Sequence, residues 1–343
     1  MVSKTVDRIG WIDALKLVTI YFVVWGHVIL FMGLPSDEVY TDSVYCFIYS
    51  FHMPLFMMIS GFFATAIIRK EGNIKKKFMQ LIVPCITLFV ICCLLDINSL
   101  NFWYLKSLFI CYVIFDLLYL VGGKITLLIS VFLAFLLFPL IVHFPIINNY
   151  KIDFMLPFFG LLGLLIRNNL NRIEEYLNWY LLIFAISFFI CLLFWNKNFI
   201  YYFSVPNWIN YKELLFNNTL SFDFNNLLEV MFRYFTGAVG GLFFFCLFGV
   251  ISKFLPKLNK QMNTWGKYGM YTLQIYILQS FLVEVNPFSI QFPTESRLLY
   301  SFVFAPIFSF CIVVLCIILA KFMEKNRYVA FFLFGKQFNY NVK

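Results

Sequence analysis

Lys16 and His27 are ionisable residues set in an apolar run, IDALKLVTIYFVVWGHV, in which Asp13 is the one acidic residue. A titratable side chain in such a run is costly in lipid, so it points either to a site or to a polar partner on a neighbouring helix. At about 100° per residue, eleven residues return to within roughly 20° of the same helix face, some 16 Å further along the axis. Lys16 and His27 would therefore line one stripe without touching, while Asp13, one turn before Lys16, can pair with it. The plain alternative is a packed, hydrogen-bonded histidine and a lysine that snorkels to the surface. A second run, YSFHMPLFMMISGFF, carries His52. If the two runs cross in opposite directions, both imidazoles lie roughly 10 to 14 Å beneath the same edge. Pro54 removes a backbone donor next to His52, and Ser60 with Gly61 allows close approach of another helix. Neutral imidazole suits the abstraction of a proton from a hydroxyl, and clustered lysines suit the binding of phosphate groups.

The elements that must position these residues are membrane spans. Hydrophobic residues make up 62% of the 343 and charged residues 13%, with a mean hydropathy of +0.85, far from a soluble domain of this size. Apolar runs near 12–34, 43–68, 78–96, 102–121, 125–147, 152–166, 179–195, 228–251, 268–285 and 300–322 mostly reach the roughly 17 to 25 residues of a spanning helix. The expectation is an all-α polytopic membrane protein of about ten helices, forming one domain over residues 1–343. With both termini cytoplasmic, only Lys151, Lys197, Lys212 and Arg297 of the basic residues fall in exported loops, as the positive-inside rule requires. The net charge of +9 is then a topology signal and an attraction to anionic lipid headgroups, with no nucleic-acid partner. The basic start and the first apolar run should be retained as a span, because no small-residue cleavage site follows. The nine cysteines lie almost entirely in apolar runs without CxxC spacing, so neither a disulfide nor a metal is expected.

The first run, together with FIYSFHMPLFMMISGFF, resembles the opening of the acyltransferase family 3 membrane proteins, in particular the fucose 4-O-acetylase-like branch. The family's pattern of arginine or lysine, ten residues and then histidine falls on Lys16 and His27. Further similar stretches are KKKFMQLIVP, FWYLKSLFICYVIF, LPFFGLLG and GMYTLQIYILQ. Two positions depart from the family: Lys77 and Gln80 stand where two arginines three apart are common, and Gln279 stands where the motif of the ninth run often ends in histidine. The resemblance implies acetyl-CoA or another acyl-CoA as cytoplasmic donor. It also implies acyl transfer to a hydroxyl of a cell-surface glycan or its lipid-linked precursor, in a bacterial cytoplasmic membrane.

On this reading His27 is the catalytic base, and His52 orients it or contacts the acceptor. Lys16 and the basic loop from Arg69 to Lys77 suit the phosphates of coenzyme A; positive-inside topology alone also explains that loop. Arg233, an intramembrane cation in FRYFTGAVGG, would contact the acceptor or an oxyanion, or pair with Asp116 or Glu229. The candidate substrate-binding set is Asp13, Lys16, Ser60, Lys77, Trp103, Arg233, Tyr276 and Gln279. A lipid or glycan flippase is the alternative, although paired halves with matching broken helices, the usual mark of alternating access, are not seen.

Overall fold

The computed structural model describes residues 9–33, 36–68, 73–97, 100, 102–115, 156–200, 208–209, 217, 221–287 and 296–336. Among these residues the protein is all-helical apart from one isolated bridge between Ile209 and Phe222. In chain order the α-helices are α1 (Gly10–Met32), α2 (Ser36–Val39), α3 (Ser43–Ile68), α4 (Asn73–Lys77) and α5 (Val83–Leu94), then α6 (Trp103–Phe115). They continue as α7 (Leu156–Asn168), α8 (Leu170–Glu175), α9 (Leu177–Phe194), α10 (Phe224–Phe254) and α11 (Pro256–Gly266). The last are α12 (Thr272–Gln279), α13 (Arg297–Leu299), α14 (Ala305–Met323) and α15 (Arg327–Phe334). Three π-helical turns, Phe78–Ile82, Ser280–Glu284 and Tyr300–Phe304, are inserted beside α5, α12 and α14.

Among the described residues six helical segments are long and apolar enough to cross a membrane: Gly10–Met32, Ser43–Ala64, Ile74–Leu94, Leu177–Phe194, Phe224–Phe254 and Arg297–Met323. The sequence suggested about ten. The described parts of the 102–121 and 152–166 runs form α6 and α7, residues 116–121 and 152–155 lying outside the described residues, and the 268–285 run mixes 3₁₀, α and π turns. The 125–147 run lies outside the described residues. Helices suit this setting because they satisfy their own backbone hydrogen bonds where water is absent. Large apolar side chains such as Leu94, Leu193, Phe194, Phe310 and Phe322 point outward, as they would toward lipid.

Helix α3 is central and packs on α1, α7 and α10. Its tightest crossing is with α7, where Gly61 lies against the Gly160 carbonyl and Gly163 against the Met58 carbonyl, so that a β-carbon at either glycine would collide with backbone. Such small-residue crossings let helices approach where lipid offers no hydrophobic drive for association. Helix α1 is tied to the last span through backbone carbonyls. Tyr21 Oη donates to Pro306 O (3.1 Å), Trp25 Nε1 to Ser301 O (3.1 Å), and Tyr300 Oη donates back to Val28 O (2.8 Å). Nearby, buried Asp42 caps α3 by accepting from Tyr45 N (2.8 Å) and also accepts from Ser301 Oγ (2.7 Å) and Arg297 Nε (3.4 Å).

Candidate active site

Lys16, Ile20, Val23 and His27 recur at helical spacing on α1, and the first three line a cavity of about 460 Å³, a size typical of ligand sites. Its other walls come from α3 (Met53, Ser60), the π turn before α5 (Gln80, Leu81), α6 (Tyr104, Tyr112), α12 (Gln274, Tyr276) and the chain after α15 (Gly335, Lys336), with Lys77 also facing it. The cavity stops one turn short of His27, about 6 Å along the axis beyond Val23. The expected Asp13–Lys16 pair is present at 3.1 Å. The Lys16 ammonium also sits 3.9 Å from the centre of the Phe63 ring, and that of Lys77 sits 4.4 Å from the Tyr112 ring. Ring faces and the acid thus offset part of the cost of holding cations here.

His27 is 18% exposed, and its Nδ1 lies 3.0 Å from Gln279 Oε1 and 3.3 Å from Glu284 Oε1. Gln279 is fixed by its own amide, which donates to Ser280 Oγ (3.0 Å), Tyr276 O (3.2 Å) and Glu284 Oε1 (3.4 Å). Both partners of Nδ1 are acceptors, so Nδ1 carries the proton and the lone pair stays on Nε2. That is the arrangement by which a carboxylate sets the tautomer and orientation of a histidine base and stabilises the imidazolium formed when it takes a proton.

The other histidine differs. His52 is buried, its Nδ1 donates to Ile48 O on its own helix (2.7 Å), and its ring meets Tyr49 edge-on at 4.6 Å. Tyr49 also lies against Gly26, where a β-carbon would come within 2.9 Å of the ring. The two imidazoles therefore belong to one neighbourhood, but the orientation of His27 expected from His52 falls to Gln279 and Glu284.

Of the other predicted residues, Ser60, Lys77 and Tyr276 line the cavity with Lys16. Trp103 does not: it packs on Tyr104, and Tyr104 is the residue that faces inward. Arg233 is buried on α10 and donates to the Asn198 carbonyl, away from the cavity. It makes no ion pair with Glu229 among the described residues; Asp116 lies outside them, as do Arg69 and Lys70. Sequence reasoning missed Glu284, Tyr104, Tyr112 and Lys336. For Glu284 a signal existed, since an acid inside an apolar run is a site candidate by default.

Residues 9–101 match the acyltransferase family 3 domain. The match spans α1, α3 and α5, and so includes Lys16, His27, His52, Ser60 and Lys77. It supports acyltransferase activity for the protein and, with the apolar spans, an integral membrane location. Comparison with curated proteins and with solved structures finds no match. The cavity and the His27 cluster are completed by Tyr276, Gln279 and Glu284, which lie beyond the matched residues.

Proposed function

We propose that the protein is a membrane O-acetyltransferase that moves an acetyl group from cytoplasmic acetyl-CoA to a hydroxyl of a cell-surface glycan or its lipid-linked precursor. The observation that carries this reading is the α1 stripe: a lysine-lined cavity at one end and a carboxylate-held imidazole at the other, joined by Ile20 and Val23. Lys16 and Lys77 hold the donor phosphates, and the pantetheine arm runs up the stripe and delivers the thioester to His27. Nε2 of His27 removes the acceptor hydroxyl proton as the oxygen attacks the thioester carbonyl. The tetrahedral oxyanion then collapses, the carbon–sulfur bond breaks, and the departing sulfur takes the proton from the imidazolium. The products are the O-acetyl ester and free coenzyme A. A base of this kind is worth about 10² to 10⁴ in rate.

The resemblance to fucose 4-O-acetylase-like proteins, a bacterial cytoplasmic membrane and cytoplasmic termini belong to the same proposal. Of these, the cytoplasmic termini draw support from the bias of lysine and arginine toward one set of loops. The test is to incubate purified protein with acetyl-CoA radiolabelled in the acetyl group and with candidate glycans. Label is expected in alkali-labile ester linkage on a glycan. Consumption of no acetyl-CoA in the presence of any acceptor, with label in none of them, overturns the reading.

A further inference from the structure

The strongest unassigned feature is the turn that follows α15. Helix α15 ends in a left-handed cap: Gly335 N donates to Phe331 O (2.9 Å), and Lys336 N adds a bond to Ala330 O (3.0 Å). Gly335 has φ +61°, a left-handed conformation that glycine tolerates best. It also presses on the backbone of Met79 and Gln80, in the π turn that lines the cavity, where a β-carbon would clash. Two independent constraints thus fix glycine at this position and seat the turn at one place. Phe334 is buried there, and Phe334, Gly335 and Lys336 all line the same cavity as Lys16 and Lys77.

The charges around this cavity are sorted. The lysine side chains line it, while the carboxylates that hold two of them, Asp13 and Glu324, are not among its lining residues. Lys336 Nζ lies 2.6 Å from Glu324 Oε2, and the other oxygen of Glu324 accepts from Gln274 Nε2 at 2.8 Å. Glu324 is therefore anchored to the wall from behind, much as Asp13 stands behind Lys16. The Lys336 side chain is 42% exposed, which puts its ammonium at the cavity opening. The Glu324 side chain is only 13% exposed, so the pair stays closed, and the ammonium, which carries three donors, turns its others to a multiply charged anion.

We propose that Lys336 is the third cation of the donor site and binds a phosphate group of acyl-CoA, so that the turn after α15 forms part of the substrate-binding wall. This rests on the reading of acyl-CoA as donor. Coenzyme A carries a diphosphate and a ribose 3′-phosphate, and three ammonium groups around one opening match that distribution of charge better than two. Phosphates do not change charge during thioester attack, so the contact acts equally on ground and transition states and belongs in KM.

The test uses the full-length protein in detergent, with coenzyme A binding measured by calorimetry and acetyl transfer by steady-state kinetics. Lys336→Gln is expected to weaken coenzyme A binding about tenfold and to raise the KM for acetyl-CoA by a similar factor, with kcat within twofold and the unfolding temperature of the ligand-free protein unchanged. Lys336→Arg should restore binding to within about threefold, since the positive charge returns. Gly335→Ala should reproduce the loss while leaving the lysine in place. Wild-type coenzyme A affinity and KM in Lys336→Gln would overturn the proposal, whereas a wild-type protein that binds no coenzyme A would overturn the donor reading itself.

Discussion

Gln279 and Glu284 both reach Nδ1 of His27, at 3.0 and 3.3 Å, although they are five residues apart on one helical segment. In a regular α-helix five residues rotate a side chain by about 500°, leaving it roughly 140° away from the first. The π turn Ser280–Glu284, closed by Val285 N donating to Ser280 O, has i→i+5 bonding and brings residues five apart back to nearly one face. The inserted residue is thus what converts a lone histidine into a histidine held by a carboxylate.

Glu284→Gln should keep the shape of this contact and remove its charge. The imidazole then loses the group that fixes its tautomer and stabilises its protonated form, a loss worth up to about 10⁴ in the best-studied triad. Acyl transfer should fall by about 10² or more in kcat, with the KM for acetyl-CoA changed less than threefold. Because both side chains act as one unit, the double variant with His27→Gln should be no slower than the slower single one. Additive losses in steady-state rates would show that Glu284 acts elsewhere.

His27→Gln should insert normally, unfold near the wild-type temperature, and lose acyl transfer by about 10² or more. His52→Gln should cost less in rate and more in stability, because the Ile48 carbonyl loses its buried donor. Parallel kinetics and thermal unfolding in detergent separate the two. Activity within a few fold of wild type for His27→Gln would reduce it to a packed polar residue.

Lys77 lines the cavity, whereas Lys75 and Lys76 are exposed to its outside. Lys77→Gln should therefore raise the KM for acyl-CoA about tenfold and leave kcat nearly unchanged. Lys75→Gln with Lys76→Gln should leave both constants within twofold. Equal effects from both sets in steady-state kinetics would make the basic loop a diffuse electrostatic or topological feature.

Gly61→Ala drives a β-carbon into the Gly160 carbonyl at the α3–α7 crossing. Backbone cannot step aside as a flexible side-chain tip can, so the helices must separate. Overpacking of this kind costs about 1 to 3 kcal/mol. Thermal unfolding in detergent should show a fall of several degrees, and Gly163→Ala, which meets the Met58 carbonyl, should behave alike.

Asn217 is exposed in the stretch between α9 and α10, and α4 starts at Asn73. Cytoplasmic termini put these positions on opposite sides. In a background with the exposed Cys93 and Cys311 replaced, Asn217→Cys should react with an impermeant maleimide on intact cells and Asn73→Cys only after lysis. The reverse pattern would invert the orientation.

Composition and apolar periodicity determined the class of this protein, and the α1 spacing determined that Lys16 and His27 share a face, because helix geometry is local and repeats every few residues. The Asp13–Lys16 pair was legible for the same reason, and so was the close approach at Gly61. The places of Tyr104 and Lys336 were decided by tertiary structure alone, and so was the pairing of Glu284 with His27, which its position in an apolar run marked only as a candidate. Glu284 depends on a π insertion that shifts the register by one residue without altering the hydrophobic pattern. Trp103 and Tyr104 are adjacent aromatics, and only the packing of α6 chose which one faces the cavity. Lys336 reaches the site through a left-handed glycine docked on Gln80, some 255 residues earlier in the chain. Local spacing carries no information about contacts across such separations, and these are settled only when the helices close around the cavity.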